Sequence, residues 1–218
     1  MSAADFLFSP SVQKIVQVVY AAPEHPFPAD ELVRQTKLTP DEVEGTLEHL
    51  IASGMLTRLK AAADQPATVS ANRDFVFYRE LRSIALKSFA AGEPIRAMLR
   101  SKFKDSVVRA FILGEDEDHI IELLVVHGAS TPDAAAMAAA CRKLSKTLLR
   151  HLQVHVIPHA RLERPAPGDA LIAKLASPAA FEIIATGDTK ARLAGERVGL
   201  LQSARRKLAA LARPRNDR

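Results

Sequence analysis

The chain has 218 residues, which is enough for one large or two small domains. Its 48% hydrophobic and 25% charged residues are typical of a globular protein, and no apolar run approaches the roughly 20 residues that a membrane-spanning helix needs. The net charge is +5, but nine Lys and Arg against two Asp and Glu fall in residues 189–218, so the basic character belongs to that segment alone.

Cysteine and aromatic content exclude two further classes. A single cysteine, Cys141, cannot form an internal disulfide, and the N-terminus lacks a basic segment followed by a long apolar run. Trp is absent and only 5% of the residues are aromatic, which argues against stacking surfaces for single-stranded nucleic acid. We therefore expect a cytoplasmic protein with no membrane partner.

The N-terminal part of the chain begins with three helical patterns. Apolar residues at helical spacing predict a first helix ending near Ala22 and a second over residues 29–36. A Thr-x-x-Glu capping box formed by Thr39 and Glu42 predicts the start of a third helix, and Gly54 is a typical C-terminal stop.

Two strand patterns follow, Met55–Lys60 and Thr68–Ala71, joined by a polar turn. A helix from about Tyr78 then leads into the next part of the chain. Three helices followed by a hairpin is the order of a winged helix-turn-helix domain, whose third helix enters the DNA major groove and whose hairpin is the wing. The sequence predicts such a domain, with its linker helix, over residues 1–90.

The middle of the chain changes to an α+β pattern. The apolar runs Val107–Leu113 and Ile120–Val126 are too short for typical helices and predict two central strands covered on both faces. Alternating polar and apolar residues predict a third strand at Leu152–Ile157. The other predicted elements of this mixed domain, residues 91–188, are helices over 93–103, 133–150, 169–176 and 178–185.

The last thirty residues, 189–218, predict a basic helix and tail. Two interpretations stay open for this segment. It is either a solvated helix with a frayed end or a clamp on the phosphate backbone of DNA.

Three stretches of the sequence, in the order in which they occur, resemble a known protein family. They are TPDEVEGTLEHLIASGMLTRL, the junction FVFYRELRSIALKS and the strand IIELLVV. Together they resemble winged helix-turn-helix regulators of the ArsR-like or MarR-like kind that are fused to a minimal nucleotidyltransferase-like domain. The resemblance implies an α+β protein with an N-terminal winged helix, a small nucleotidyltransferase-like domain and a C-terminal helix.

The positions that correspond to the family's catalytic motif differ here. The family carries Gly-Ser after the first strand and Asp-x-Asp on the second, which hold phosphate and divalent metal. This chain has Gly114–Glu115 at the first motif, Ile120 at the first aspartate and Glu122 at the second. We expect Gly114 and Glu122 to mark a degenerate nucleotide pocket, without catalytic residues, metal or cofactor, beside a solvated acidic loop over 115–118.

Candidate DNA contacts fall in three places. The third helix offers the hydroxyl and imidazole groups of Thr39, Thr46 and His49. The wing and the turn after it offer the cations Arg58, Lys60 and Arg73. The terminal helix offers the basic cluster Arg205, Arg206 and Lys207. Against this, the third helix carries four carboxylates and no Lys or Arg, and acidic groups oppose binding to phosphate.

The sequence thus favours a regulator that binds double-stranded DNA as a homodimer. The second domain would serve as scaffold, dimer contact or sensor of a small-molecule or protein effector. Three alternatives stay open: a protein-interaction module, a nucleotide-binding pseudoenzyme without DNA binding, and a transferase with a relocated site. A shared zinc site at His151, His155 and His159 is not expected, since a strand would hold the first two about 13 Å apart.

Overall fold

The computed structural model describes residues 2–59, 66–116 and 118–193 and is a mixed α+β fold with two separate sheets. Of the predicted terminal segment 189–218, only residues 189–193 are described; they are not helical, which corrects the predicted helix start, and the rest of the segment lies outside the described residues. No helix in the described ranges is both long and apolar enough to cross a membrane.

The first sheet belongs to the N-terminal elements. These are α1 (Pro10–Val19), β1 (Phe27–Pro28), α2 (Ala29–Thr36), α3 (Pro40–Ala52), β2 (Leu56–Leu59) and β3 (Thr68–Ala71). The strand order is β1-β3-β2, with antiparallel pairing throughout. The three helices and the hairpin match the sequence prediction, whereas the short strand β1 was not predicted because its two residues, one a proline, give no alternating pattern.

Local chemistry explains where these helices begin and end. The Ser9 hydroxyl caps α1 by accepting from the Val12 amide at 3.3 Å. The capping box of α3 forms as predicted, since Thr39 and Glu42 each accept from the other's backbone N–H. Helix α2 ends at Thr36, and the C-cap residue Lys37 adopts a left-handed conformation with φ of 56°. These helices pack around fully buried side chains such as Ile15 and Leu50.

The second sheet is the central unit of the chain. Its elements are α4 (Tyr78–Lys87), α5 (Gly92–Lys102), β4 (Val107–Glu115), β5 (Ile120–His127), α6 (Ala134–Leu148), β6 (His151–Pro158), α7 (His159–Glu163), α8 (Ala170–Ala173), a 3-10 turn (Lys174–Ala176) and β7 (Phe181–Ile184). The strand order is β6-β5-β4-β7, with only β5 and β6 parallel.

Both faces of this sheet are covered, which confirms the prediction for the central strands. On one face, Ile112 and Leu123 pack with residues of α5 and α6, including the buried Cys141. On the other face, Leu113 and Leu124 pack with the segment that contains α7 and α8. Burying each such aliphatic side chain contributes about 1.5–3 kcal/mol, so the sheet is the main source of stability in this unit.

The structure after β6 differs from the sequence prediction in two places. Residues 178–185 were expected to be helical, but Phe181–Ile184 is a strand that pairs antiparallel with β4. Its Phe-Glu-Ile-Ile sequence has high strand propensity, and Ile183 and Ile184 are buried by the pairing. No helix was predicted directly after Pro158, but the chain forms the short helix α7 there, with Pro158 as its N-cap.

Helix α4 lies between the two units in the chain and several contacts join them. The Gln17 amide donates to the Thr147 carbonyl at 3.3 Å, and the Glu93 carboxylate accepts from the Ala3 amide at 2.6 Å. Buried residues up to Ala90 form one apolar cluster, and those from Ala91 form others. The domain limits at 90 and 188 stay predictions.

Candidate functional site

The two candidate hydroxyls of α3 are occupied within the helix. Thr39 donates its hydroxyl to the Glu42 carboxylate at 2.9 Å and accepts from the Glu42 amide at 3.3 Å. The Thr46 hydroxyl donates to the Glu42 carbonyl at 2.6 Å. Reading a base edge would require both side chains to exchange these bonds, so their first role is to stabilise α3.

Hydrogen bonding to Thr39 also favours the negatively charged form of Glu42, in the first turn of α3. The backbone N–H of Thr39, and then its hydroxyl, lower the pKa of Glu42, with a smaller contribution from Lys14. Exposed carboxylates continue along the helix at Asp41, Glu44 and Glu48. The outer face of α3 is therefore negative at neutral pH.

The cations predicted near the wing differ in their availability. Arg58 is exposed on β2 and has no ion-pair partner in the described part of the chain. Arg73 forms an ion pair with Glu24. His49 is exposed on α3. Of the remaining candidates, Lys60, Arg205, Arg206 and Lys207 lie outside the described residues.

The first residues of the basic terminal segment contact the central sheet at the end where β4 begins. The Thr189 hydroxyl donates to the Val107 carbonyl at 2.6 Å, at the start of β4. The Arg192 carbonyl accepts from the Ala129 amide at 2.8 Å. A Cβ on Gly128 would lie 2.0 Å from that same Arg192 oxygen, so this close approach of two backbones requires glycine.

At the opposite end of the sheet, Gly114 and Glu122 face each other across β4 and β5. Gly114 has φ of +149° and lies beside an irregularity in the strand register. A cleft of about 430 Å³ is lined by both residues, together with Gln153 and Lys174. The sequence prediction that these two residues share one pocket is consistent with this geometry.

A lysine and a histidine side chain already contact the Glu122 carboxylate. Lys174 Nζ lies 2.6 Å from one oxygen, and His155 Nε2 lies 3.0 Å from the other. A metal ion at Glu122 would have to displace these contacts. In the described ranges, no three His, Cys, Asp or Glu side chains come together as a potential metal cluster.

Glu115 was expected in a solvated acidic loop, and this expectation was wrong. It is the last residue of β4, and its side chain is 3% exposed. Arg82 Nη2 and Arg150 Nε each lie 2.8 Å from one of its two oxygens. Because one arginine comes from α4 and the other from the turn before β6, Glu115 joins three elements.

Arg150 is the most deeply buried member of this ion cluster. Its side chain is 1% exposed, and it donates to the Leu148 carbonyl at 3.2 Å and to the Gln17 carbonyl of α1 at 3.5 Å. Burial lowers the pKa of Arg150, and the charge of Glu115 opposes that change. The cluster of Arg82, Glu115 and Arg150 thus ties the central sheet to the N-terminal unit.

Sequence reasoning missed this cluster because its members are far apart in the chain. The separations from Glu115 are 33 residues to Arg82 and 35 residues to Arg150. The one local indication was the apolar run of β4. This strand continues to Glu115 and lies between two other strands, where the end of a strand is buried.

Comparison with known proteins adds little to this picture. The sequence matches no protein-family model and no curated protein. Among solved structures, it is similar to a crystal structure of a mutant of the toxin-antitoxin MntA-HpeT, with 17% sequence identity and a TM-score of 0.34. The alignment covers 55% of this chain and 94% of that chain. At this TM-score the similarity carries no argument about fold or function.

Proposed function

We propose that this protein is a DNA-binding regulator whose N-terminal unit is a winged helix. The observation that carries the proposal is the element order α1-β1-α2-α3-β2-β3 together with the strand order β1-β3-β2. In this arrangement α3 corresponds to the recognition helix, and the β2–β3 hairpin corresponds to the wing.

The charge on α3 limits how this unit would contact DNA. Phosphate contacts supply much of the affinity, and α3 provides carboxylates instead of cations. Arg58 on the wing strand and the basic cluster Arg205, Arg206 and Lys207 would provide the phosphate contacts, with His49 facing the bases. A homodimer would double these contacts without any new residue.

We further propose that the central unit is a nucleotidyltransferase-like scaffold without transferase activity. The support is chemical: the one carboxylate at the expected metal position, Glu122, is neutralised by Lys174 and contacted by His155. Phosphoryl transfer by two metal ions needs several carboxylates aimed at one point. Such a scaffold could hold the winged helices of two copies or sense an effector.

Fluorescence anisotropy with a duplex from the gene's own upstream region, against a scrambled duplex, tests the DNA proposal. We expect selective binding with a steep salt dependence. Arg58→Gln should reduce the slope of log affinity against log salt by about 1 for each phosphate that Arg58 neutralises, and the triple change Arg205→Gln, Arg206→Gln, Lys207→Gln should reduce it further.

Arg164→Gln is the matched control for Arg58→Gln. Arg164 is also exposed and has no ion pair in the described part of the chain, but it lies after α7, on the central unit. If the two substitutions reduce DNA affinity and its salt slope equally, the protein is attracted to DNA by its overall charge only. Absence of binding to either duplex at low salt would reject the regulator proposal.

A protein-interaction module is the second candidate, and the exposed carboxylates of α3 favour it. Asp41, Glu44 and Glu48 would complement a basic partner surface. Charge reversal at Glu44 and Glu48 to Lys distinguishes the two functions, because it should strengthen DNA binding and weaken binding to a basic protein.

A further inference from the structure

A second cleft lies along α4, on the junction between the two units. It has a volume of about 330 Å³ and is walled by α4 on one side and by Glu115, Ala179 and Phe181 on the other. It shares Glu115 and Ala179 with the cleft over Glu122, but its remaining walls are different.

Helical periodicity places six residues of α4 along this cleft. Tyr78, Arg82 and Leu86 recur every four residues, and Arg79, Ser83 and Lys87 form the adjacent row. The N-terminal half of the groove is therefore rich in guanidinium groups. Its C-terminal half combines the apolar Leu86 and Phe181 with Lys87, whose Nζ lies 5.8 Å from the Phe181 ring centroid.

The cleft has an excess of positive charge that its own residues do not neutralise. Four cations line it, namely Arg73, Arg79, Arg82 and Lys87, against one carboxylate, Glu115. Both Glu115 oxygens are engaged by Arg82 and by Arg150, which lies behind the cleft wall. Arg73 pairs with Glu24, whereas Arg79 has no ion-pair partner in the ranges that the structure describes.

The Arg82 guanidinium is held in place by a partly buried ion pair. Arg82 Nε is shielded from solvent and has no hydrogen-bond partner among the described residues, although Arg82 Nη2 is bound to Glu115. The part of the Arg82 side chain that lines the cleft is its exposed fraction, since the side chain as a whole is 31% exposed. The fixed position of Arg82 also orients the guanidinium before any ligand arrives.

From these features we propose that the α4 cleft binds a phosphorylated small molecule with an aromatic or apolar body. The phosphate would contact Arg79 and Arg82, because guanidinium groups match phosphate oxygens in a bidentate geometry. The apolar body would lie against Leu86 and Phe181. A cleft lined by one sign of charge also concentrates such anions near its mouth.

Isothermal titration of the full chain with phenyl phosphate at low ionic strength tests the proposal, with benzyl alcohol as the uncharged comparison. We expect saturable binding of phenyl phosphate and none of benzyl alcohol. Arg79→Gln should weaken phenyl phosphate binding about tenfold or more, because it removes a charged hydrogen bond. Lys87→Gln should weaken it less.

Arg100→Gln is the matched control, since Arg100 is also exposed, on the neighbouring helix α5, but does not line the cleft. It should leave binding unchanged. Lack of saturable binding by the unmodified protein, or equal weakening by Arg79→Gln and Arg100→Gln, would overturn the proposal. A thermal melt of each variant confirms that it is folded.

This titration contains no DNA, so its outcome is independent of the regulator proposal. If phenyl phosphate binds and the duplexes do not, the cleft proposal stands and the DNA proposal fails. If the duplexes bind and phenyl phosphate does not, the reverse holds.

Discussion

Two carboxylates at the same end of neighbouring strands have opposite environments. Glu115 ends β4 with its side chain 3% exposed, whereas Glu122, near the start of β5, is 21% exposed. Glu115 contacts two arginines, one of them 1% exposed, and Glu122 contacts Lys174, which is 51% exposed, and His155. The two side chains are chemically identical, but their surroundings are not.

The difference shows that burial of the partner determines what a carboxylate does for the fold. Lys174 can return to water if Glu122 is lost, at little cost. Arg150 cannot, because it is enclosed between the two units and would keep its charge without compensation. Glu115 is therefore a structural tie between units, and Glu122 is an adjustable group at the edge of a cleft.

The largest expected effect follows from removing the charge of Glu115. Glu115→Gln should lower the free energy of unfolding by about 3–5 kcal/mol, because it leaves a buried Arg150 unpaired. Since small domains have only about 5–15 kcal/mol in total, urea denaturation should detect the change clearly. The control is Glu182→Gln, which breaks the partly exposed pair with Arg109 and should cost at most about 1 kcal/mol.

A double substitution checks the reason for that loss. Glu115→Met combined with Arg150→Met removes both buried charges, so it should be clearly more stable than Glu115→Gln alone. If the double variant is as unstable as Glu115→Gln, the shape of the side chains and not their charge determines the stability of this junction. The explanation of the difference between Glu115 and Glu122 by the burial of their charged partners would then be wrong.

The same comparison explains which parts of the molecule could be predicted from its sequence. The capping box at Thr39 and the apolar runs of β4 and β5 are local patterns, and both were predicted. The role of Glu115 depends on Arg82 and Arg150, which are 33 and 35 residues away, so no local pattern contains it. The strand at Phe181–Ile184 was missed although its residues favour a strand, because so short an apolar run also fits a helix until its pairing with β4 is known.

The candidate site residues also divide into those that could be assigned from the sequence and those that depend on tertiary packing. Gly114 and Glu122 were assigned to one pocket through the resemblance to the nucleotidyltransferase motif, and the pairing of β4 with β5 places them opposite each other. The contacts of Lys174 and His155 with Glu122 could not be predicted, since they depend on how the 3-10 turn and β6 pack on the sheet.

Glu42 is an intermediate case, an exposed carboxylate with fixed partners. Thr39→Ala should destabilise the protein by about 1 kcal/mol, the usual cost of losing an N-cap hydroxyl. Because the folded pKa of Glu42 is depressed, its stabilising effect is present above the unfolded pKa and is lost as the pH falls through the folded pKa. Denaturation at pH 7 and at pH 3 should therefore show a smaller difference between Thr39→Ala and the unmodified protein at pH 3.

Glu122→Gln should change stability by no more than about 1 kcal/mol, since Lys174 is half exposed and can be solvated. Urea denaturation beside Glu115→Gln measures the contrast directly. A loss from Glu122→Gln as large as that from Glu115→Gln would show that the exposure of the partner does not determine the cost.

Tyr20 extends the comparison to a buried hydroxyl that has no hydrogen-bond partner in the described ranges. Its side chain is 0% exposed, and its hydroxyl has no hydrogen-bond partner among the described residues. Burial, and then the neighbouring Tyr78, raise the pKa of Tyr20 to about 12. The stability associated with neutral Tyr20 is therefore complete below the usual tyrosine pKa of about 10 and is lost as the pH rises toward 12.

Tyr20→Phe should thus leave the free energy of unfolding at pH 7 unchanged or slightly higher, because it removes a buried hydroxyl that makes no bond. Above pH 10 it should lose less stability than the unmodified protein. The chain has two tyrosines, so absorbance titration of Tyr20→Phe reports Tyr78 alone, and the difference from the unmodified protein gives the Tyr20 curve. If Tyr20→Phe instead costs more than about 1 kcal/mol at pH 7, the hydroxyl has a partner, and Tyr20 resembles the paired Glu115 and not a group buried alone.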